Sequence, residues 1–152
     1  MTNILTIQTP LGAMTLVEGN GALTELRLKA FANDGEQEQE TPLLNQAAQE
    51  LHDYFSRRRK TFSVPLAPEG TAFQQTVWSA LRDIPYGHTL SYGGVAKAIG
   101  KPNASRAVGM ANNRNPLPIF IPCHRVIGAD GKMVGYGGGL DVKDYLLKLE
   151  TP

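Results

Sequence analysis

The chain has 152 residues, 41% of them hydrophobic and 19% charged, with a net charge of +1. That is enough for one or two domains with a buried core, so neither a disulfide framework nor a structural metal is needed to fold it. A single cysteine, Cys123, excludes an intramolecular disulfide and a Cys-rich zinc site, and a lone thiol suits a reducing compartment.

Ile4–Thr9, Met14–Glu18 and Ala22–Lys29 are rich in Ile, Leu, Val and Thr, with Pro10-Leu11-Gly12 and Gly19-Asn20-Gly21 as turn residues between them. A β-meander is expected. The acidic stretch Asn33–Glu40 and the last two residues are the segments expected to lack order. Pro42–Arg59 carries Leu43, Leu44, Ala47, Ala48, Leu51, Tyr54 and Phe55 at helical spacing, with Thr41 as N-cap and Pro42 at the first helical position. Thr61–Leu66 reads as one more strand. An α+β domain, an antiparallel sheet with a helix, is thus expected over residues 1–66, and Ala67-Pro68-Glu69-Gly70 (67–70) as a linker.

Residues 71–152 read as a mainly helical domain. Thr71 caps a helix through Arg82, ended by Pro85-Tyr86-Gly87. Ser91–Ile99 is a short helix stopped by Gly100 and Pro102, and Asn103–Asn113 another with Asn103 as its N-cap. After Asn115-Pro116-Leu117-Pro118 an apolar run, Ile119–Ile121, leads into Pro122-Cys123-His124; Gly135, Gly137, Gly138 and Gly139 then precede a final helix, Val142–Leu149. No apolar run approaches the roughly 20 residues that cross a bilayer, and no secretory leader is evident, so a cytoplasmic protein with no membrane contact is expected.

Charge is unevenly placed. Residues 1–70 hold six Lys/Arg against nine Asp/Glu, and residues 71–152 nine against five. No acidic residue falls between Ile84 and Ala129, where Lys97, Lys101, Arg106, Arg114 and Arg125 lie. Such a stretch suits a polyanion, although a basic surface without a partner fits charge alone equally well. The two short helices around Gly100-Lys101-Pro102 form a helix-turn-helix pattern in which Val95, Ala96 and Ile99 face Val108 and Ala111. In the second helix, Ala104, Ser105, Ala107, Gly109 and Ala111 surround one long cation, Arg106. Small residues suit close approach to a minor groove, with Arg106 able to enter the base stack; a purely structural hairpin is the alternative.

Cys123 stands beside His124 and Arg125, a setting that promotes thiolate character, while the apolar run before it equally fits a cysteine buried as a small hydrophobe. His52, His88 and His124 are scattered, with no metal-ligand spacing. His52 and His88 are expected on the surface or in local hydrogen bonds. The glycines at 135–139 lack phosphate-loop context and read as a loop whose backbone approaches something closely.

Pro122-Cys123-His124-Arg125-Val126 resembles the active-site signature of the O6-alkylguanine-DNA alkyltransferases. Further matches occur in order at Phe73–Trp78, Ser91-Tyr92, Ser105–Gly109, Asn115-Pro116, Gly135-Tyr136 and Lys143 through Glu150. The resemblance is close from Gly70 to Glu150 and one of architecture before that. It implies a ribonuclease H-like N-terminal domain and a winged-helix, helix-turn-helix-like C-terminal domain that binds DNA and transfers alkyl groups. It further implies that O6-alkylguanine, and O4-alkylthymine, is flipped from duplex DNA through the minor groove by a monomer that needs no cofactor.

By the same resemblance, Cys123 is the nucleophile, His124 its base through a water, and Glu150 the group that orients His124. Tyr92 crowds the phosphate and gives a proton to the departing guanine. Arg106 is the finger that fills the stack, and Ala104, Ser105 and Arg114 accompany it on DNA. The Cys123 and Val126 carbonyls read the guanine amino group, Asn115 ties the helix-turn-helix to the active-site turn, and Pro118, Tyr136 and Gly137 line the pocket. Gly137 stands where some relatives carry Ser, which predicts tolerance for adducts larger than methyl. The cysteines that bind zinc in some relatives are missing, so no metal is expected. A damage sensor without transfer, a helix-turn-helix regulator and a cysteine hydrolase are the competing readings. The presence of Cys123, the scarcity of base-reading side chains on the second helix, and the basic stretch disfavour them in turn.

Overall fold

Two hairpins open the chain because turn residues stand where the strands must reverse. β1 (Thr2–Thr9) and β2 (Gly12–Gly19) pair antiparallel from Ile4↔Val17 to Thr9↔Gly12. Asn20 and Gly21 then both take positive φ, 52° and 80°, as a two-residue hairpin requires, and lead into β3 (Ala22–Arg27). This computed structural model describes residues 1–131, 136 and 138–152.

Asn33–Glu40 is not devoid of structure. β4 (Glu36–Glu38) adds in parallel to the edge of β1, giving the order β3-β2-β1-β4 and a mixed sheet instead of an antiparallel one. The partner of this acidic segment is Arg27, a buried cation on β3 that donates to both Glu36 carboxylate oxygens at 2.7 Å and covers the Phe31 ring at 4.4 Å. The hydrogen bonds from Arg27 hold the Glu36 carboxyl down at about 2, and Thr6 bonds Glu38 alongside. Local charge density favours solvation, but a cation supplied from a distant strand reverses the balance.

α1 (Pro42–Phe55) begins as its sequence dictates, with the Thr41 hydroxyl accepting from the Leu44 N–H at 3.1 Å. It ends at Phe55 and does not run to Arg59, because Arg57 adopts a φ of 63°. Leu44, Ala47, Leu51, Tyr54 and Phe55 are buried, and the helix packs on β1, β2 and β3. Thr61–Leu66 is not a strand. The buried Glu50 carboxylate takes the Ser63 and Val64 N–H groups at 2.8 and 3.1 Å, which removes them from any ladder, and only Leu66 bridges to Leu23.

Met1–Glu69 and Gly70–Pro152 form separate compact units. The second starts with α2 (Ala72–Leu81), which Thr71 and Gln74 cap reciprocally. β5 (Leu90–Ser91) runs into α3 (Tyr92–Ala98), capped by Ser91 and ended by Gly100 at φ 76°. α4 (Ser105–Asn113) follows with Ala104, not Asn103, as its N-cap: the Ala104 N–H closes a turn onto the Lys101 carbonyl and leaves Asn103 inside it. Val95, Ala96, Val108 and Ala111 are buried as expected, whereas Ile99 is half-buried. The Trp78 indole N–H donates to the Ala111 carbonyl at 2.9 Å and fixes α4 against α2. β6 (Val126–Ile127) pairs in parallel with β5, and α5 (Leu140–Leu149) starts two residues before the expected Val142. Among the described residues no helix is long and apolar enough to cross a membrane.

Candidate active site

The segment that presents Cys123 is built from tight turns. The Phe120 N–H bonds the Pro118 carbonyl at 2.9 Å around Ile119, whose φ is 74°, and the Cys123 N–H bonds the Ile121 carbonyl at 2.7 Å around Pro122. Pro122, at φ −79° and ψ 65°, suits an inverse γ-turn because its ring fixes φ and it lacks an N–H. A β-branched residue at positive φ is strained, and strain of this kind persists only where the surroundings over-determine it. Here those surroundings include Asn115, whose amide donates to the Ile121 carbonyl and accepts from the Leu117 N–H, both at 2.9 Å. Cys123–Arg125 then forms one 3-10 turn, closed by the Val126 N–H on the Cys123 carbonyl.

Cys123 is buried, at 4% exposed. Burial pushes its thiol up, while hydrogen bonding from Asn115 and Tyr136 and the charge of Lys143 oppose that rise. His124 is fully buried, with Nε2 at 2.7 Å from Glu150 Oε2. Burial lowers the imidazole pKa, Glu150 raises it, and Arg125 and Lys143 lower it again, with the net shift downward. A carboxylate on Nε2 selects the tautomer with the proton there, so Nδ1 is the basic nitrogen. That atom is buried without a hydrogen-bond partner among the described residues.

Glu150 sits at the C-cap of α5, 3% exposed. Arg125 grips it with Nε at 2.8 Å and a second guanidinium nitrogen at 3.0 Å, while its third donates to the Ile84 carbonyl at 2.6 Å. The expectation that Arg125 belongs to an outward cationic stretch is therefore wrong. It is buried because a buried carboxylate needs a bidentate partner. Lys143, also fully buried, donates to the Val126 carbonyl at 2.6 Å. Asn112, buried on α4, donates to the Cys123 carbonyl at 3.3 Å.

Tyr92 opens α3, half-buried, and a Cβ at Gly109 of α4 would lie 3.7 Å from its ring. Burial first, and then Cys123, raise its hydroxyl pKa, which keeps the phenol a proton donor. Arg106 is exposed at the second position of α4, preceded by half-buried Ala104 and Ser105; Arg114 is exposed at the C-cap of the same helix. Pro118 and Val126 are buried, and Tyr136 is half-buried. Gly135 and Gly137 lie outside the described residues. His52 and His88 are exposed, and the ring of His88 bonds the Tyr86 carbonyl at 3.2 Å. No cluster able to hold a metal ion occurs among the described residues.

Thus Cys123, His124 and Glu150 converge with Tyr92, Asn115 and Tyr136, while Arg106 and Arg114 occupy the exposed side of α4. Sequence reasoning missed Arg125 and Lys143 as parts of the site, and Asn112 as a support behind the turn that carries Cys123. Arg125 and Lys143 fall inside stretches that resemble the family, but nothing in their local sequence separates a buried cation from a solvated one.

Residues 72–152 match the family described as "6-O-methylguanine DNA methyltransferase, DNA binding domain", and residues 5–68 match its ribonuclease-like domain. The methylated-DNA–protein-cysteine methyltransferase of Methanosarcina barkeri is 48% identical over 95% of this chain and 94% of its own. The constitutive enzyme of that name from Bacillus subtilis is 47% identical, over 95% and 93%. Among solved structures, Mycobacterium tuberculosis OGT in complex with DNA superposes with a TM-score of 0.90 at 47% identity, covering 97% of this chain and 92% of that one. With both halves matched and identity this high over almost the whole length, the chain belongs to the 6-O-methylguanine DNA methyltransferase family.

Proposed function

We propose that this protein repairs alkylated DNA by moving the alkyl group of O6-alkylguanine, and of O4-alkylthymine, irreversibly onto Cys123. The observation that carries the reading is a buried cysteine beside a histidine whose far nitrogen is held by a buried carboxylate, in the same unit as an exposed arginine on a helix of small residues. A thiolate cannot reach the alkyl carbon inside a stacked duplex, so the nucleotide must rotate out. Arg106 occupies the space left in the stack, Ser105, Ala104 and Arg114 follow the backbone through the minor groove, and Tyr92 crowds the phosphate.

His124 takes the thiol proton at Nδ1 through a water, and Glu150 stabilises the resulting imidazolium through Nε2. The sulfur attacks the alkyl carbon, the S–C bond forms as the C–O6 bond breaks, and Tyr92 protonates the departing ring. The Val126 carbonyl, which keeps a lone pair beside Lys143, reads the guanine amino group, whereas Cys123's is taken up by Asn112 and the Val126 N–H; Asn115, Pro118, Tyr136 and Gly137 shape the pocket, with room for adducts larger than methyl. The product is a thioether that no group of the site can cleave, so each molecule acts once, as a monomer and without cofactor or metal. Residues 71–152 carry DNA binding and transfer, residues 1–66 support them, and residues 67–70 link the two. A thiol that must stay reduced supports a cytoplasmic location.

Intact-mass measurement after mixing with duplex DNA containing O6-methylguanine tests this. One methylene unit gained per chain, absent from Cys123→Ala, is expected. No gain with selective binding of the damaged duplex retained would mean a sensor instead, and sustained turnover would refute the single-use claim.

A further inference from the structure

α4 bears Arg106 near its start and is joined to the nucleophile's own peptide near its end. The joint is Asn112, 1% exposed, whose Nδ2 donates to the Cys123 carbonyl at 3.3 Å. Its Oδ1 is buried with no hydrogen-bond partner among the described residues. An idle buried acceptor is a cost that an apolar side chain of similar size avoids, so packing alone does not account for an amide here. The neighbouring residue is fixed from the other side, since Trp78 donates to the Ala111 carbonyl at 2.9 Å. The Cys123 carbonyl also accepts the Val126 N–H, so two donors define the plane of that peptide. Asn115 holds a different carbonyl, that of Ile121, and cannot substitute for this contact.

We propose that Asn112 is a positioning residue that registers the Cys123 peptide against α4, so that the seating of Arg106 in DNA and the aim of the sulfur are set together. The inference rests on the alkyl-transfer reading above. A flipped base remains attached to a duplex whose position α4 dictates, so the distance from alkyl carbon to sulfur depends on how α4 is held relative to Cys123. A free alkylated base settles into the pocket without reference to α4. The link therefore matters only when the substrate arrives on DNA, which a merely structural role would not predict.

Asn112→Leu, matched in size, removes the donor and the idle acceptor together while the Val126 N–H still satisfies the Cys123 carbonyl. Its melting temperature is expected to match or exceed that of the parent protein. Single-turnover transfer from a duplex containing O6-methylguanine should slow by about five- to tenfold, the size of one hydrogen bond, with free O6-benzylguanine and iodoacetamide reacting within about twofold of normal. If Leu lowers the melting temperature, Asn112→Ser is read by the same ratio of duplex to free-base rates. An unchanged duplex rate, or equal losses on duplex and free base, overturns the proposal. Wild-type protein that takes no alkyl group from either substrate overturns the parent reading and this inference with it.

Discussion

Replacing Arg125 by Met strikes the site where its charges depend on one another most. The substitution removes three charge-assisted hydrogen bonds, two to Glu150 at 2.8 and 3.0 Å and one to the Ile84 carbonyl at 2.6 Å. The two side chains are 7% and 1% exposed, so water replaces little of what is lost. Removing one partner from a buried pair costs about 3–5 kcal/mol, and the Met stem keeps only the apolar packing. Arg125 also pushes the His124 pKa down while Glu150 pulls it up. Burial is the main cause holding that pKa down and remains, so without the arginine the imidazole keeps its proton to a somewhat higher pH. Urea unfolding should register the stability loss, and transfer by Arg125→Met should recover as pH rises. Adding Glu150→Gln should restore part of the stability, because the stranded charge is gone. A stability loss below about 1 kcal/mol with an unshifted pH profile would refute a buried ion pair governing the base.

Arg106→Ala should slow transfer from duplex DNA by roughly 10- to 100-fold while sparing a free alkylated base; equal losses would show that Arg106 does not act on the stack. Adjacent glycines in α3 should respond in opposite directions in thermal melts. A Cβ at Gly94 would come within 2.7 Å of Leu90, so Gly94→Ala should cost about 1–3 kcal/mol. At Gly93 the nearest atom is the Ser105 hydroxyl at 3.6 Å, so Gly93→Ala should stabilise by about 0.5–1 kcal/mol. His124 has a lowered pKa in the folded state, so the unfolded chain binds more protons below its ordinary value. Its contribution is complete above about pH 6.5 and is lost as pH falls through that point, and a flat urea-derived stability between about pH 7 and pH 5 would contradict it.

The elements legible in the sequence were those whose signals are local. Thr41 and Thr71 cap the helices they precede, and Asn20-Gly21 makes the hairpin its residues require. Misreadings arose where a distant residue decides the outcome. Glu36–Glu38 is a strand because Arg27 neutralises it, and Thr61–Leu66 is not one because Glu50 claims its N–H groups. The two-residue strands β5 and β6 are too short to show any period. Within the site, adjacency and family resemblance made Cys123, His124 and Glu150 visible. The buried cations were not, since Arg125 and Lys143 are indistinguishable in sequence from the solvated Lys101 and Arg114.

The depth of Cys123 bears on how long a single-use protein stays usable. Cells hold a steady background of peroxides and reactive carbonyls, and an open thiolate would be spent on them before any lesion was met. A cysteine that is 4% exposed, within a folded frame of turns, keeps such encounters rare. The stock of working molecules is then set by synthesis and by damage found, not by chemical wastage, and occlusion acts as shelf life.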